Sequence, residues 1–451
     1  MKSKSLILAI LCVLALSASA GVSFEGSTKP VMDITPDKNT GLNHIYVLYS
    51  AQGVSMSYTA SSADRVVWYR YGEMGGGYAE EISGIVREGM TTRMSQVETD
   101  CGYIIEEGTN RTYLWVVDYS KYRLILNSVQ PDPASDCGTA TLNVSGSGDD
   151  IAYATITGVR RILSRDITIN YYTLEWNESD LQWDETGLTE TYEGYKPVIV
   201  LPAPLCNTTF TISGDRFLKF WNEGISRESD TYRTNAVDVR AKAEQEQREN
   251  DNEKKQETGE ILGGSAPVNI TFTAYCTDAV IHKEWQMATD PDFNDIQLRL
   301  NNEVVEETLE EAGTTYWRFI GANEDGTCQA ESDTYTVSVG VSELFCPNVF
   351  SPGTKDGVND VWKVSYKSII QFKCWIFNKW GNQIIVLNDP SEGWDGTYNG
   401  KLVKSGVYYY VIEARGSDGK NYKLKGDINI INHKKQLDQV IDSGEPATVE
   451  E

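Results

Sequence analysis

Histidine is rare in this sequence of 451 residues, and the arrangements that bind zinc or activate a nucleophile are missing. The three histidines, His44, His282 and His433, form no HxxxH pair, and the cysteines form no CxxC pair, so a zinc site is not expected. There is no Gly-x-Ser-x-Gly elbow, and the glycine run at 75–77 lacks the Lys-Ser/Thr of a phosphate-binding loop. We therefore expect neither enzymatic activity nor a cofactor.

Acidic residues near two tryptophans leave one catalytic alternative open. Asp180, Asp184 and Glu185 are close in sequence to Trp176 and Trp183, and a glycosidase requires a pair of carboxylates. The same residue types are typical of turns and strands. We favour that structural interpretation.

Positive charge is also in short supply. The chain has 40 Lys and Arg against 65 Asp and Glu, which gives a formal net charge of −25. Because such a surface repels polyphosphates, we expect no nucleic-acid partner. Hydrophobic residues make up 40% of the chain, enough for packed cores. At roughly 100 to 150 residues per domain, three or four domains are expected.

Long apolar runs are confined to the N-terminus. Two lysines lie in the first five residues, an apolar run covers 6–16, and Ala18-Ser19-Ala20 offers the small side chains that signal peptidase accepts. The run is shorter than the roughly 20 residues of a membrane-spanning helix. We predict a signal peptide at residues 1–20, and hence export. A lipid anchor on Cys12 is the weaker alternative, because Leu11 occupies a position where a small residue is usual.

Export to an oxidising compartment would allow the seven cysteines after residue 20 to pair. Seven is an odd number, so at least one thiol stays free, and Cys101 is the expected one. Separations of 69 and 52 positions suit links between packed sheets for the first two pairs, and the third pair is a weaker prediction. The predicted pairs are Cys137 with Cys206, Cys276 with Cys328, and Cys346 with Cys374.

Apolar residues alternate with period two along nearly the whole chain, interrupted by Gly, Asn, Asp and Pro, which is typical of half-buried antiparallel strands. The predicted fold class is therefore all-β, with tandem immunoglobulin- or fibronectin-III-like β-sandwich domains and a C-terminal β-sandwich. Trp68 is expected in the core of the first domain. The predicted segments are 1–20, signal peptide; 21–127 and 128–244, immunoglobulin-like sandwiches; 245–264, charged linker; 265–341, immunoglobulin- or fibronectin-III-like domain; 345–432, C-terminal domain; and 433–451, polar tail.

The predicted linker and third domain rest on composition and residue order. Residues 244–260 are almost entirely polar, which favours a solvated spacer over a charged recognition helix. In the third domain, Cys276, Trp285 and Cys328 follow the immunoglobulin order, although Gly326 replaces the usual corner tyrosine. The acidic loop at 290–295 could hold calcium, but a surface turn is favoured because the EF-hand positions are not matched.

The C-terminal residues carry the most specific motifs. They read Phe-Cys-Pro-Asn-Val-Phe-Ser-Pro from 345, Ile-Phe-Asn-Lys-Trp-Gly-Asn from 376, Gly-Trp-Asp-Gly-Thr-Tyr-Asn-Gly from 393, Gly-Val-Tyr-Tyr-Tyr-Val-Ile from 406 and Lys-Gly-Asp-Ile-Asn-Ile-Ile from 425. Strands are expected at 372–377, 383–387, 406–414 and 421–431, joined by turns whose Gly and Asn residues tolerate positive φ.

The order of these motifs closely resembles the type B C-terminal sorting domain of the Bacteroidetes type IX secretion system, also called the gliding-motility-associated C-terminal domain. The resemblance covers about 87 of the 451 residues. It implies a signal peptide, outer-membrane crossing through the type IX secretion translocon, and docking on a PorP/SprF-type outer-membrane β-barrel. The expected location is therefore exported, outer membrane-associated and at the cell surface.

Two departures from that family affect its implications. The stretch 351–360 has one more residue and one fewer acid than the usual Ser-Pro-Asn-Gly-Asp-Gly-Val-Asn-Asp, which weakens a calcium role for Asp356, Asn359 and Asp360. Such domains usually end close to the final strand, whereas this chain continues with the polar tail. The tail leaves it open whether the domain is cleaved or retained.

The expected function is that of a non-catalytic scaffold or binding protein of the type IX secretion or gliding-motility apparatus, contacting further secretion or motility subunits. The alternative is a cell-surface adhesin or other cargo exported by the same system. The sequence lacks the long repeats of a large filamentous adhesin, which favours the first function. The expected partner-binding residues, with a core role as the alternative for both tryptophans, are Trp380, Trp394, Tyr398, Tyr408, Tyr409 and Tyr410.

Overall fold

A computed structural model describes residues 21–255, 262–352 and 357–431. The predicted signal peptide at 1–20 and the predicted tail at 433–451 lie outside these residues. The described chain is nearly all β, as predicted, with one short α-helix. It divides into two compact units: residues up to 173 together with 185–234, and residues 174–184 together with those from 235 onward. No helix in the described ranges has the length and apolarity needed to cross a membrane.

The first sandwich of unit one packs two sheets around a core that includes the buried Trp68. The sheets have the strand orders β1-β4-β8-β7 and β2-β3-β10-β9-β5-β6. Trp68 lies on β5 and its indole N–H donates to Thr92 Oγ1 at 3.0 Å. The strands are β1 Gly21–Glu25, β2 Met32–Ile34, β3 His44–Leu48, β4 Ser55–Thr59, β5 Val66–Tyr71, β6 Glu80–Glu81, β7 Val86–Glu88, β8 Thr91–Met94, β9 Cys101–Glu107 and β10 Asn110–Asp118.

The second sandwich begins with β11, which starts at Ile125 and therefore lies across the expected boundary at 127. Its sheets have the orders β11-β12-β17, β16-β15-β18-β19 and β13-β14. The elements are β11 Ile125–Pro131, β12 Thr139–Ser147, β13 Ile151–Ala154, β14 Arg160–Leu163, β15 Ile167–Asn177, β16 Gln182–Tyr192, β17 Val198–Pro202, β18 Thr211–Gly214, α1 Arg216–Phe220 and β19 Ile225–Glu228.

One apolar cluster runs through both sandwiches of unit one, so they are not independent beads. It joins Val47 and Trp115 of the first to Ile151 and Phe217 of the second. Such shared burial makes the two sandwiches depend on each other for stability.

Unit two contains the third sandwich, and its first strand is β20, Val239–Gln245. β20 pairs antiparallel with β22, so the expected end of the second domain at 244 is wrong. The reason is that Val239, Ala241 and Ala243, which alternate as predicted, pack against the core of the third sandwich. The strands are β20, β21 Leu262–Gly264, β22 Val268–Cys276, β23 His282–Ala288, β24 Ile296–Leu300, β25 Val304–Leu309, β26 Gly313–Ala322, β27 Gln329–Glu331 and β28 Tyr335–Val339.

The C-terminal domain completes unit two with a five-stranded sheet of order β30-β37-β36-β32-β33. The four strands that the sequence predicts here are all present. The elements are β29 Glu343–Phe345, β30 Val349–Phe350, β31 Ser365–Lys367, β32 Ile369–Phe377, β33 Gln383–Leu387, β34 Thr397–Tyr398, β35 Lys401–Leu402, β36 Gly406–Gly416 and β37 Asn421–Ile430.

The predicted charged linker at 245–264 is not a solvated spacer over its described residues. Residue 245 ends β20 and residues 262–264 form β21, and we name residues 246–255 the strap. Its backbone is held against β31 by hydrogen bonds from Lys254 N to Tyr366 O at 2.7 Å and from Tyr366 N to Asn252 O at 3.1 Å. The Asn252 amide donates to Val364 O and Pro390 O, each at 2.8 Å. Polar composition predicted a spacer, but here the polar groups satisfy backbone carbonyls that lie within unit two.

The third sandwich and the C-terminal domain also bond to each other directly. Ser368 N donates to Ser265 Oγ at 2.7 Å, and Ala266 N donates to Ser368 Oγ at 3.1 Å. Tyr422 Oη donates to Ser342 O at 3.0 Å. The C-terminal domain is therefore an integral part of unit two.

Candidate binding face of the C-terminal domain

The five-stranded sheet of the C-terminal domain has one face in the core and one face toward solvent. Alternation along β36 places Ile412 and Ala414 inward, while Val407, Tyr409 and Val411 point outward. This follows from the period of two in a β-strand.

The strand register brings the outward apolar side chains together. Trp375 on β32 is paired with Val411 on one side and with Val386 on the other, and Phe377 is paired with Tyr409. Tyr409 is 47% exposed, which is high for a residue in a central strand. Cross-strand neighbours on one face lie about 4.5–5.5 Å apart at Cβ, so these side chains form one continuous patch. We name it the aromatic face; its members are Trp375, Phe377, Val386, Val407, Tyr409 and Val411.

Charged side chains border the aromatic face. The Lys373 ammonium lies 5.3 Å from the centre of the Trp375 ring, and Lys425 is paired with Val411. Residues 344–430 contain 11 Lys and Arg against eight Asp and Glu, whereas the rest of the chain contains 29 against 57. The domain as a whole therefore carries a small net positive charge, in contrast to the acidic rest of the chain. At the aromatic face, Asp427 is paired with Tyr409 and Glu413 with Lys373, so charges of both signs border it.

Trp380 lies at the tip of the hairpin between β32 and β33 and is 74% exposed. The Asn378 side chain fixes this turn by accepting from the backbone N–H of Trp380 and of Asn382, each at 3.0 Å. Lys379 lies over the Trp380 ring at 4.6 Å from its centre. A tryptophan held in the open by a well-bonded turn is available for contact with another molecule.

The predicted partner-binding residues fall into two groups. Trp380, Tyr398 and Tyr409 are exposed, in agreement with a role in contact. Trp394 is fully buried with 0% exposure, packs against Phe350, and donates from its indole to Thr397 O at 2.9 Å. Its expected role in partner binding is therefore wrong, and the alternative core role is correct.

Tyr408 and Tyr410 are also inward residues. Tyr408 packs edge-on against Trp394 at 5.3 Å between ring centres. Tyr410 faces Gly426 across the sheet, and a Cβ at that glycine would lie only 2.7 Å from Tyr410 Oη, so the glycine makes room for the ring. Burial raises the pKa of Tyr410 to about 12. Of the three consecutive tyrosines, only Tyr409 points outward.

Sequence reasoning missed Trp375 and Phe377. The signal was present, since Lys373, Trp375 and Phe377 share one parity in a strand whose other parity is the apolar Phe372, Cys374 and Ile376. A strand that is apolar on both faces would have indicated a second buried or binding surface.

Two of the three predicted disulfide pairs are not formed. Cys276 carries a free thiol, which excludes its pair with Cys328. Cys346 and Cys374 also carry free thiols, which excludes the pair between them. Cys206 is buried, and its predicted pair with Cys137 stays a prediction. Sequence separation alone does not fix whether two Cβ atoms point toward each other. Burial raises the pKa of Cys374 to about 12, as expected for a thiol in an apolar core.

The acidic residues considered for a glycosidase site or a calcium site form hydrogen bonds within turns. Asn177 donates to Asp180 and Asp184 at 3.0 and 2.7 Å, so these carboxylates are bonded within the β15–β16 turn. Asp290 accepts from the backbone N–H of Asp292 at 3.1 Å, which fits the predicted surface turn. In the ranges 21–255, 262–352 and 357–431, no group of three or more potential ligands could hold a metal ion.

The stretch proposed as a calcium alternative in the C-terminal domain is only partly described. Asp356 lies outside the described residues. Gly357 N donates to Asp360 Oδ2 at 2.8 Å, and Asn359 adopts a positive φ of 53°. These features are those of a turn bonded to its own backbone.

Comparison with known families identifies two domains. Residues 344–430 match the CHU_C type IX secretion signal domain, and residues 128–229 match a fibronectin type III domain. The chain therefore carries a type B C-terminal sorting domain of type IX secretion, as the motifs predict. This signal implies export and an association with the cell surface or outer membrane.

Solved structures with partial similarity have low identity. The three N-terminal domains of the bacteriophage RB49 Highly Immunogenic Outer Capsid protein are 9% identical, cover 69% of this chain and 99% of their own, and give a TM-score of 0.22. Dimeric latent PorU from Porphyromonas gingivalis is 8% identical, with coverage of 72% and 36% and a TM-score of 0.15. The fibronectin(III)-like modules of Clostridium thermocellum CbhA are 12% identical, with coverage of 43% and 95% and a TM-score of 0.17. A comparison with curated proteins gives no match.

Proposed function

We propose that this chain is a non-catalytic binding protein of the cell surface, exported as cargo of the type IX secretion system and acting as an adhesin. The match of residues 344–430 to the type IX secretion signal domain carries the proposal. The fibronectin type III domain at 128–229 supports it, because such modules commonly serve as binding and spacing units.

The same match favours cargo over the apparatus component that the sequence led us to expect first. A sorting signal directs the export of a protein and does not by itself make that protein part of the secretion apparatus. A role in the secretion or gliding apparatus therefore remains the second candidate, with no structural observation specific to it.

We place the docking function of the sorting domain on the aromatic face and Trp380. The exposed ring of Tyr409 and the charged residues that border the face give it the aromatic anchor and the polar rim of a protein-binding surface. The partner proposed is the PorP/SprF-type outer-membrane β-barrel of the type IX translocon.

Deletion of the gene distinguishes the two functions. Loss of attachment with normal secretion and gliding is the result expected for an adhesin. A general loss of secretion or gliding would instead assign the protein to the apparatus. Removal of residues 345–451 should leave the product inside the cell envelope, and unchanged surface exposure of that truncation would contradict export through this signal.

A further inference from the structure

The open edge of strand β20 in the third sandwich borders a cavity of about 180 Å³. Four consecutive residues, Val239–Lys242, form one side of the cavity, and Ser332 with Asp333 lies on another. Consecutive residues of a strand point to opposite faces of the sheet, so a cavity that touches all four runs along the backbone edge. No described strand pairs with β20 on that side, because β20 ends the sheet β20-β22-β25.

The pattern of hydrogen bonds between β20 and β22 directs the backbone N–H and C=O groups of the odd-numbered residues of β20 toward the cavity. Thr277 N donates to Asp238 O at 3.1 Å, and Glu246 N donates to Asn269 O at 3.0 Å. These two bonds lie in register with the pairing of β20 and β22, so the even-numbered residues bond to β22. The N–H and C=O groups of Ala241 and Ala243 therefore point to the open edge.

The ends of this edge are closed and its middle is not. At one end, the N–H of Val239 donates to Asp238 Oδ1 at 2.8 Å. At the other end, the Gln245 side chain exchanges two hydrogen bonds with the backbone of Gly263, at 2.7 and 2.8 Å. Within the described residues, no group bonds the backbone of Ala241 or Ala243 on this side. Natural edges are usually protected along their length, so this opening marks a place for a strand.

The charges around the cavity define the occupant further. Lys242 is paired with Glu244 at 2.7 Å, and Arg240 lies over the Trp183 ring at 5.9 Å from its centre, so both cations are already engaged. The exposed carboxylate of Asp333 receives no hydrogen bond or ion pair from the described residues. A basic side chain could form an ion pair with the Asp333 carboxylate, and the net charge of −25 attracts a basic ligand to the chain.

Trp176, which also lines the cavity, is not free to stack on a sugar. Its ring packs against Trp183 at 5.4 Å and Tyr275 at 5.3 Å between ring centres. Its indole N–H donates to Glu178 at 2.6 Å. The open groups of the site are thus backbone amides and one carboxylate.

We infer that this edge binds an extended, basic peptide segment of a partner protein, which adds as a strand to β20 and places a Lys or Arg at Asp333. Ala241 and Ala243 each exchange two hydrogen bonds with the added strand. The inference deepens the proposed binding role and rests on it, but peptide binding is measured on the purified chain and is separable from export.

The test pans a random heptapeptide phage library on the purified full chain and measures the affinity of the enriched peptides. Ala241→Pro removes only a donor that faces the cavity, which an edge strand tolerates. Glu306→Pro is the matched control, because Ala274 N bonds Glu303 O and the register therefore points Glu306 N–H to the other open edge of the same sheet. Asp333→Lys tests the charge without changing the backbone.

The expected peptides contain Lys or Arg among β-branched residues. Their Kd should rise at least tenfold in Ala241→Pro and in Asp333→Lys, stay unchanged in Glu306→Pro, and the Ala241 amide should exchange more slowly when peptide is bound. Failure to enrich any peptide, or equal affinity for Ala241→Pro and Glu306→Pro, would overturn the inference. If circular dichroism shows that Ala241→Pro is unfolded, equal affinity of Asp333→Lys and the unaltered chain overturns it instead.

Discussion

Arg165 and Asp215 form an ion pair at 2.5 Å in which both side chains are almost completely removed from solvent. Asp215 also accepts from Tyr119 Oη at 3.1 Å and caps the helix α1 at Leu218 N. Arg165 donates further to the carbonyl oxygens of Asp149 and Tyr122. These bonds link residues of the first sandwich to residues of the second within unit one.

Loss of one partner of this pair should strongly destabilise unit one. We expect Arg165→Met to lower the free energy of unfolding by about 3–5 kcal/mol, since it leaves the Asp215 carboxylate buried without its counterion. Urea denaturation followed by circular dichroism measures the change. The double variant Arg165→Met with Asp215→Leu should recover part of the loss, and a loss below about 1 kcal/mol in the single variant would contradict the role of the pair.

The strap should be held by specific bonds, and its composition should matter less. Asn252→Ala deletes two hydrogen bonds and leaves two carbonyl oxygens unsatisfied, so a loss of about 1–3 kcal/mol is expected. Gln247→Ala, at an exposed position of the strap, is the control and should be neutral. Hydrogen exchange at the Tyr366 amide reports on the strap locally. Equal exchange rates in the two variants would show that Asn252 does not fasten it.

Substitutions of Tyr409 and Trp394 should distinguish an effect on docking from an effect on folding. Tyr409→Ser changes the aromatic face and should cost about 1 kcal/mol of stability at most, yet reduce secretion and barrel recovery. Trp394→Ala removes a fully buried ring and should cost about 3–5 kcal/mol, so it reduces secretion through misfolding. Thermal melts of both variants beside secretion yield make the distinction. Normal secretion of Tyr409→Ser together with Trp380→Ser would remove the aromatic face as the docking site.

Acid should weaken the first sandwich through Glu107. Burial alone would raise the pKa of this carboxyl, but hydrogen bonds from Tyr58, Ser61 and Ser62 outweigh it and lower the pKa to about 2. A lowered pKa gives stability that is present above the ordinary value near 4.5 and is lost as the pH falls toward 2. Unfolding free energies measured between pH 6 and pH 2 should show this slope, and Glu107→Gln should flatten it. An identical pH dependence in both proteins would refute the assignment.

The all-β class and the strands of the C-terminal domain could be predicted from the sequence because alternation and turn residues are local signals. The identity of the sorting domain could be predicted because several motifs occur in a fixed order. The start of the third sandwich could not, since Val239, Ala241 and Ala243 alternate in the same way whichever sheet they join.

The candidate site was only half predictable for a related reason. The exposure of Tyr409 and the partial burial of Tyr408 and Tyr410 depend on which alternate residues of β36 face the core, and three identical side chains in a row give no sign of this. Trp394 and Trp380 look equivalent as turn tryptophans. The backbone of Trp394 pairs with that of Trp362, with N···O distances of 2.8 and 2.9 Å. This pairing holds Trp394 in the interior, whereas Trp380 lies at an exposed hairpin tip.

The strap has a consequence for the timing of export. Its residues lie between β20 and β21 of the third sandwich, yet they bond to Tyr366, which is synthesised more than a hundred positions later. The strap can therefore complete its hydrogen bonds only after the C-terminal domain has been synthesised. We expect a truncated product that lacks the strap to have a sorting domain without these hydrogen bonds. A fully bonded sorting domain would then indicate that the third sandwich is complete.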